Sequence, residues 1–321
     1  MKRVLVTGAN GFVGRALCAR LASGGMEVAG AARKDHANEV RAFGARPVVI
    51  GDLDSQTDWM AAMTGIDCVV HLAARVHVMR EVESDPLAAF RAVNTFGSER
   101  LALQAAAAGV RRFVYISTIK VNGEYTENKP FSEQDKPQPS DPYAVSKWEA
   151  EQALRRLAVE SGLEVVVVRP PLVYGPGVKG NFLSLMRLVH KGIPLPLGRC
   201  DNRRSLLGLD NFVDFLAMCI DHPACPGRTF VLSDGEDLST PDLIRNLAAA
   251  MGRPARLLSI PSTWLEFAAS LLDRRDVYQR LCGSLQVDSS FARRSLGWSP
   301  PQTVDAGLTA TARAFLQQSV Q

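Results

Sequence analysis

VLVTGANGFVGRAL, residues 4–17, decides how the rest of the chain is read. An apolar, β-branched run leads into Gly8, Gly11 and Gly14, and an Ala/Leu-rich pattern opens directly behind them. A strand, a glycine turn and a helix in that order form a cradle for a dinucleotide. Gly8 allows the tight turn, Gly11 lets the backbone approach a pyrophosphate, and Gly14 brings helix against strand. The helix beginning near Phe12 aims its first N–H groups at the phosphates, which places Asn10, Phe12 and Val13 around them with the glycines. A glycine triplet alone is weak, since any turn uses glycine; its place between strand and helix gives it weight.

Five further strand patterns follow: EVAGAAR (27–33), RPVVIGD (46–52), CVVHLAA (68–74), RFVYIST (112–118) and LEVVVVRP (163–170), with helical patterns filling most gaps. Near-continuous apolar strands alternating with helices predict a parallel sheet covered on both faces. The expectation is a doubly wound α/β (Rossmann) domain over 1–170, the C-terminal ends of its strands sharing one crevice. Beyond Pro170 prolines and glycines crowd 170–198. Capped helices follow in STPDLIRNLAAAMG (239–252), PSTWLEFAASLL (261–272) and VDAGLTATARAFLQQ (304–318). In the first, Ser239 or Thr240 serves as cap and Pro241 suits the first helical position. A smaller mixed lobe over 171–321 is expected, with about 205–222 returning to the first domain.

Composition excludes several classes. The 321 residues are 46% apolar and 22% charged, which is ordinary for a soluble globular protein. The net charge of +4 comes from 37 basic and 33 acidic residues spread along the chain, too mild and diffuse for a nucleic-acid partner. No apolar run approaches the ~20 residues of a membrane span. MKRVLVTG enters a strand at once, without a signal peptide. A cytoplasmic protein without a membrane partner is expected. Cys18, Cys68, Cys200, Cys219, Cys225 and Cys282 are scattered, with no CxxC pair and no histidine at ligand spacing. They read as buried thiols rather than disulfides or a metal site.

In SDPYAVSKWEAEQAL (140–154) Asp141 can cap a helix whose first residue is Pro142, so Tyr143 and Lys147 share one face. A free phenol has a pKa of about 10. A neighbouring ammonium and a nicotinamide cation would both favour the phenolate and fit it for proton transfer. RFVYISTIKVNGE (112–124) brings Ser117 and Thr118 to the crevice end of a strand, where a hydroxyl can bond the same reacting oxygen. Each piece has a bland reading, a surface Tyr/Lys pair or a hydroxyl capping a turn. Three pieces in this order on one sheet edge read as a site.

TGANGFVG, HLAA (71–74), VNTFG (93–97), the Ser117–Thr118 pair, YAVSK (143–147) and RPPLVYGP (169–176) together resemble the extended short-chain dehydrogenase/reductase family. More narrowly they resemble its nucleotide-sugar epimerases, dehydratases and reductases. The resemblance implies Thr118, Tyr143 and Lys147 as catalytic residues. It implies Asp52 at the adenine with Leu53 beside it, and Leu72, Ala73 and Ala74 beside the cofactor ribose. Asn94 would support the site, and Pro170 to Leu172 would line the nicotinamide. In the second lobe Asn181 would contact the diphosphate of a UDP-sugar and Arg204 its pyrophosphate, with Arg280 as a second cation; forked donors suit that group. The helices of Asn94–Ala108 and Tyr143–Ala158 would pair with their mates as the four-helix bundle of a homodimer.

Two departures matter. Family dehydratases carry an acidic pair directly after the catalytic hydroxyl; here Ile119 and Lys120 follow Thr118, which argues against a dehydratase. In VAGAARK (28–34), Ala32 stands where family 4-epimerases have an Asp, a carboxylate about 20 residues past the glycines that holds the 2′-hydroxyl. Arg33 and Lys34 offer cations instead, so NADP(H) is expected ahead of NAD(H), though the same two residues could simply solubilise a strand end. STIKVNGE and RPPLVYGPGVKGNFLSLM further resemble bacterial 4-reductases of cell-surface polysaccharide synthesis. That implies NADPH-dependent reduction of the 4-keto group of a UDP-4-keto-6-deoxy-N-acetylhexosamine. Two readings stand beside it. One is a UDP-glucose or UDP-N-acetylglucosamine 4-epimerase with tightly bound NAD. The other is a non-catalytic redox-sensing regulator, against which the intact Thr118, Tyr143 and Lys147 argue.

Overall fold

β1 (Arg3–Thr7) enters the glycine turn and continues as α1 (Phe12–Ser23), β2 (Glu27–Ala32), α2 (Ala37–Ala42), β3 (Arg46–Val49) and β4 (Cys68–His71). This is a computed structural model that describes residues 2–33, 36–76 and 85–319. The chain goes on through α3 (Pro86–Phe90), a π-helical stretch Arg91–Gly97, α4 (Ser98–Ala107), β5 (Arg112–Ile116), α5 (Pro142–Ser161) and β6 (Glu164–Arg169). Then come β7 (Leu172–Tyr174), α6 (Gly180–His190), β8 (Arg204–Gly208), α7 (Leu209–Cys219), β9 (Thr229–Val231) and β10 (Asp237–Leu238). The remaining elements are α8 (Thr240–Ala250), α9 (Ser262–Leu271), α10 (Arg275–Cys282), α11 (Ser290–Leu296) and α12 (Val304–Ser319).

Seven parallel strands form the main sheet in the order β3-β2-β1-β4-β5-β6-β9. All six strands expected from the sequence are in it, and the doubly wound α/β fold is confirmed. The seventh, β9, is three residues long and carries no alternation long enough to mark it in the sequence. Successive strand residues point to opposite faces. Val4 and Val6 pack with Leu17, Phe212 and Phe215, while Leu5 packs with Trp59, Leu101 and Phe113 on the other side. Because both faces are covered, the strands read as unbroken apolar runs.

The second lobe is built on a three-stranded sheet, β10-β8-β7, whose core includes Tyr174, Phe182, Leu247 and Phe315. In α8 Ser239 is the cap, accepting from the Asp242 N–H, and Pro241 takes the second helical position. One expectation fails here. Cys200 and Cys282 are disulfide-paired across 82 residues of sequence, with Cα atoms 5.4 Å apart, while Cys18, Cys68, Cys219 and Cys225 are free and buried. The pairing follows from tertiary packing: the end of α10 lies on the loop before β8, a proximity no local spacing reveals. Among the described residues no helix is long and apolar enough to cross a membrane.

The sheet order reverses between β1 and β4, and this switch point is where an open α/β sheet leaves a crevice at its strand ends. Gly8, with φ of 65°, lies so near the loop after β4 that a Cβ would stand 3.0 Å from the Ala73 nitrogen. A Cβ on Gly14 would stand 2.1 Å from the Gly8 carbonyl oxygen. Gly14→Ala is therefore expected to destabilise the fold by about 2 kcal/mol or more and to lose dinucleotide binding, because the clash is with backbone. Urea unfolding checks this; wild-type stability in the variant would contradict it.

Candidate active site

The ends of β1, β4, β5 and β6 and the first turns of α5 converge at this crevice. α5 begins as the sequence predicts. The Asp141 carboxylate accepts from the Ala144 N–H at 2.6 Å, and Pro142 takes the first helical position. The second Asp141 oxygen accepts from Lys120 Nζ at 2.5 Å. Lys120, two residues after Thr118, thus braces the helix that carries Tyr143. Ile119 is buried and offers no acid–base group.

Tyr143 is half-buried, with the Phe90 ring edge-on at 5.9 Å. Burial, and then the Asp141 carboxylate, push its phenol up to about 12. Lys147, one turn further on, is only 2% exposed, and its ammonium sits 4.3 Å over the Tyr115 ring. Burial pulls Lys147 down to about 7, against the opposing pull of the Glu151 charge. In the chain alone desolvation dominates both groups, so any lowering of the phenol falls to the nicotinamide cation expected beside it.

Thr118 and Ser117 have divided their tasks. Thr118 is buried at the crevice end of β5, and its Oγ1 accepts from the Lys120 N–H at 3.3 Å, capping a 3₁₀ turn over Ile119–Val121. Ser117 turns away and donates to Glu151 Oε1 at 2.6 Å. Glu151 is fully buried on α5, one turn past Lys147. Arg169, at the end of β6, grips it with both fork arms, Nε to Oε1 at 2.9 Å and Nη2 to Oε2 at 2.6 Å. Its third nitrogen, Nη1, donates to Asn122 Oδ1 at 2.9 Å.

This network was missed in the sequence, though two signals point to it. Glu151 continues the four-residue spacing of Tyr143 and Lys147. Arg169 ends an otherwise apolar buried strand, where a charge demands a partner.

A second buried network fixes the loop after β4. His71 Nδ1 lies 2.7 Å from Thr7 Oγ1, and Nε2 lies 2.9 Å from Ser98 Oγ. The Ala73 N–H donates to Thr7 Oγ1 at 3.1 Å. Burial and the Lys147 charge push His71 down to about 3, so it stays neutral at working pH. Asn94 accepts from the Arg75 N–H at 2.9 Å and donates to the Arg75 carbonyl and to Ser146 Oγ, each at 3.0 Å. It ties that loop to α5 from within the π-helical stretch, a geometry frequent at functional sites.

The remaining expected residues stand as follows. α1 starts at Gly11 without a side-chain cap, and a Cβ on Gly11 would stand 3.0 Å from the Gly8 oxygen. Bare backbone and first-turn N–H groups, including those of Phe12 and Val13 behind Asn10, therefore face the crevice and fit a diphosphate. Asp52 is exposed beyond β3, Leu53 is half-buried against Gly97, and Leu72 and Ala74 are half-buried beside Ala73. Pro170 is buried, its carbonyl accepting from the Ile119 N–H at 3.0 Å, and Leu172 is 46% exposed. Ala32 is buried, Arg33 is exposed at the end of β2, and Lys34 lies outside the described residues.

In the second lobe Arg204 Nη1 donates to the Arg280 carbonyl at 3.1 Å and the Gly283 carbonyl at 2.9 Å. Two of the three expected substrate residues thus meet, and burial lowers the Arg204 pKa. Asn181 stands exposed in the first turn of α6, with no hydrogen bond to either among the described residues.

A dinucleotide cradle at a sheet switch point, with Thr118, Tyr143 and Lys147 at the adjoining strand end and helix start, fits a nicotinamide-dependent enzyme of the Rossmann type. Residues 4–233 match the NAD dependent epimerase/dehydratase family, and the chain belongs to it. It is 45% identical over 318 residues to a UDP-glucose 4-epimerase of Vibrio cholerae, covering 98% of this chain and 96% of the relative. Among solved structures, the UDP-glucuronic acid 4-epimerase of Bacillus cereus in complex with NAD superposes with a TM-score of 0.80 at 21% identity, covering 98% and 99% of the two chains. The UDP-glucose 4-epimerase of Thermotoga maritima with UDP-glucose gives 0.77 at 21% identity, covering 99% and 100%.

The Vibrio relative overturns the reductase expectation. The features behind that reading do not select reduction. Ala32 and Arg33 bear on the cofactor's ribose rather than on the direction of hydride transfer, and Lys120 is occupied with Asp141.

Two measurements test this site. Glu151→Gln leaves Arg169 buried without its countercharge and is expected to cost about 3–5 kcal/mol in urea unfolding. Lys147 is ionised below about 7 in the fold and below 10.5 when free, so the unfolded chain binds more protons between those values and stability rises with pH across them. Lys147→Met should therefore stabilise the dinucleotide-free protein most at pH 6, with the gain shrinking toward pH 10. A pH-independent difference in melting temperature would contradict the assignment.

Proposed function

We propose that the protein interconverts UDP-hexoses at C4, as a 4-epimerase of UDP-glucose or its N-acetylhexosamine counterpart. The observation that carries the reading is the 45% identity, over 318 residues, to the UDP-glucose 4-epimerase of Vibrio cholerae. Tyr143 stands in the first turn of α5 and Thr118 just past the end of β5, while the two positions after Thr118 hold buried Ile119 and ion-paired Lys120. Such a site can exchange the proton of one hydroxyl oxygen. The Vibrio relative's name agrees.

When bound, the dinucleotide supplies a hydride acceptor and donor and, oxidised, a positive charge near the phenol. Tyr143 removes the C4 hydroxyl proton and returns it once the sugar has turned its other face. Thr118 shares the C4 oxygen. Lys147 holds positive charge beneath the phenol and steadies the phenolate. Arg204, fixed by two carbonyls and stripped of much of its water, is the anchor for the diphosphate, with Arg280 and Asn181 at its rim.

A closed exchange consumes no reductant, so we assign tightly held NAD(H) as the resident cofactor. Ala32 places no carboxylate against a 2′-phosphate, and Arg33 is the residue through which NADP(H) would be tolerated. We also assign a homodimer through α4 and α5 with the stretch before α4, where Phe96, Leu103 and Val159 are 49%, 46% and 88% exposed.

Purified protein given UDP-glucose and no added dinucleotide should produce the galacto epimer, and the nucleotide released on denaturation should be NAD(H). Tyr143→Phe should lower turnover by about 10²- to 10⁴-fold with the bound nucleotide retained. Absence of interconversion for both UDP-glucose and UDP-N-acetylglucosamine would overturn the reading. Arg204→Ala should raise KM by about 10- to 100-fold with a smaller change in kcat, as expected for a lost charge-assisted contact.

A further inference from the structure

The solvent face of α9 is its apolar face. Trp264, Phe267 and Leu271 recur at three- and four-residue spacing and are 74%, 68% and 71% exposed; Leu272, just past the helix, is 71% exposed. No residue of the helix is buried. Its half-buried side carries Leu265, which touches the core of the second lobe, with Ser262 and Ala269. A surface helix ordinarily turns such a stripe inward; this one turns it out. Arg274 and Arg275 are exposed directly behind the stripe, and residues 253–282 hold five arginines against three acidic residues. Glu266 lies toward α10, where its charge raises the Tyr278 pKa, and Asp273 occupies the turn between the helices with φ of 52°.

We propose that α9, with the arginines that follow it, docks the protein on an anionic bilayer surface. At ten residues the helix is about 15 Å long. It is too short to cross a membrane, and suited to lying in the headgroup plane with its apolar side chains at the acyl boundary. Arginines at its end complement lipid phosphates, and the indole of Trp264 suits the interface. A second copy of the chain fits the face less well. One side of so short a helix offers on the order of a few hundred Å², against about 800 Å² per partner in a stable interface. Among the described residues no helix is long and apolar enough to cross a membrane, which leaves open lying on its surface. α9 and α10 are joined to the second lobe through Leu265, the Arg204 to Arg280 bond and the Cys200–Cys282 pair, leaving the dinucleotide crevice apart.

The test uses full-length protein with vesicles of phosphatidylglycerol and phosphatidylcholine, compared with phosphatidylcholine alone. Trp59 and Trp298 are buried and Trp148 is covered by Arg155 and Arg169, so a blue shift of tryptophan emission reports Trp264. The protein should co-sediment with the anionic vesicles and shift its emission, and 0.5 M salt should weaken binding roughly tenfold. The triple variant Trp264→Ser/Phe267→Ser/Leu271→Ser should stay in the supernatant while keeping its melting temperature and its bound nucleotide. Wild-type protein that ignores anionic vesicles, or a triple variant that binds them equally, would overturn the proposal. So would concentration-dependent self-association that the triple variant abolishes without any vesicle binding. None of these outcomes depends on which sugar the protein turns over.

Discussion

The buried ion pair of Glu151 and Arg169 is the constraint on which the site depends. Three separate elements end at it: α5 through Glu151, β6 through Arg169 and β5 through Ser117, at heavy-atom distances of 2.6 to 2.9 Å. Desolvating two charges is tolerable only where geometry is good and the remaining donors are satisfied. Here a bidentate fork, the Ser117 hydroxyl and Asn122 meet that condition. The consequence is rigidity where it counts. Thr118 follows Ser117 and Pro170 follows Arg169, each one residue from a fixed atom, and Lys147 stands one helical turn before Glu151.

The same burial sets the electrostatics. With the phenol pushed up to about 12, Tyr143 of the chain alone stays protonated near neutral pH, while burial brings Lys147 down to about 7. An added positive charge near the phenol favours its ionised form, so acid–base competence is coupled to occupancy of the cradle. That coupling suits an enzyme that keeps its dinucleotide. It also agrees with the sequence reading, in which the ammonium and a nicotinamide cation together favour the phenolate.

Much of the fold is legible because its signals are local. The six strands announce themselves as apolar runs, the glycine turn and Phe12 mark the first helix, and Asp141 with Pro142 marks α5. What is hidden depends on contacts distant in sequence. β9 is three residues that become a strand only by pairing with β6. Cys200 and Cys282 meet only because α10 folds back on the loop before β8. Glu151 and Arg169 each look like an isolated charge until the sheet joins them. The reaction is hidden for a different reason: Ala32 and Arg33 bear on the cofactor's ribose, while the relation of hydride to product depends on whether the cofactor leaves. No side chain in the sequence encodes that directly.

In the proposed epimerisation Tyr143 exchanges the proton of the C4 hydroxyl, while the hydrogen on C4 moves as a hydride that never leaves the enzyme. Turnover of UDP-glucose carrying deuterium at C4, followed by mass spectrometry and NMR of the products, tests this most directly. Deuterium should remain at C4 of the galacto product, undiminished in water and in the presence of excess free NAD. Loss of the label to solvent, or its appearance in the free dinucleotide, would contradict the account.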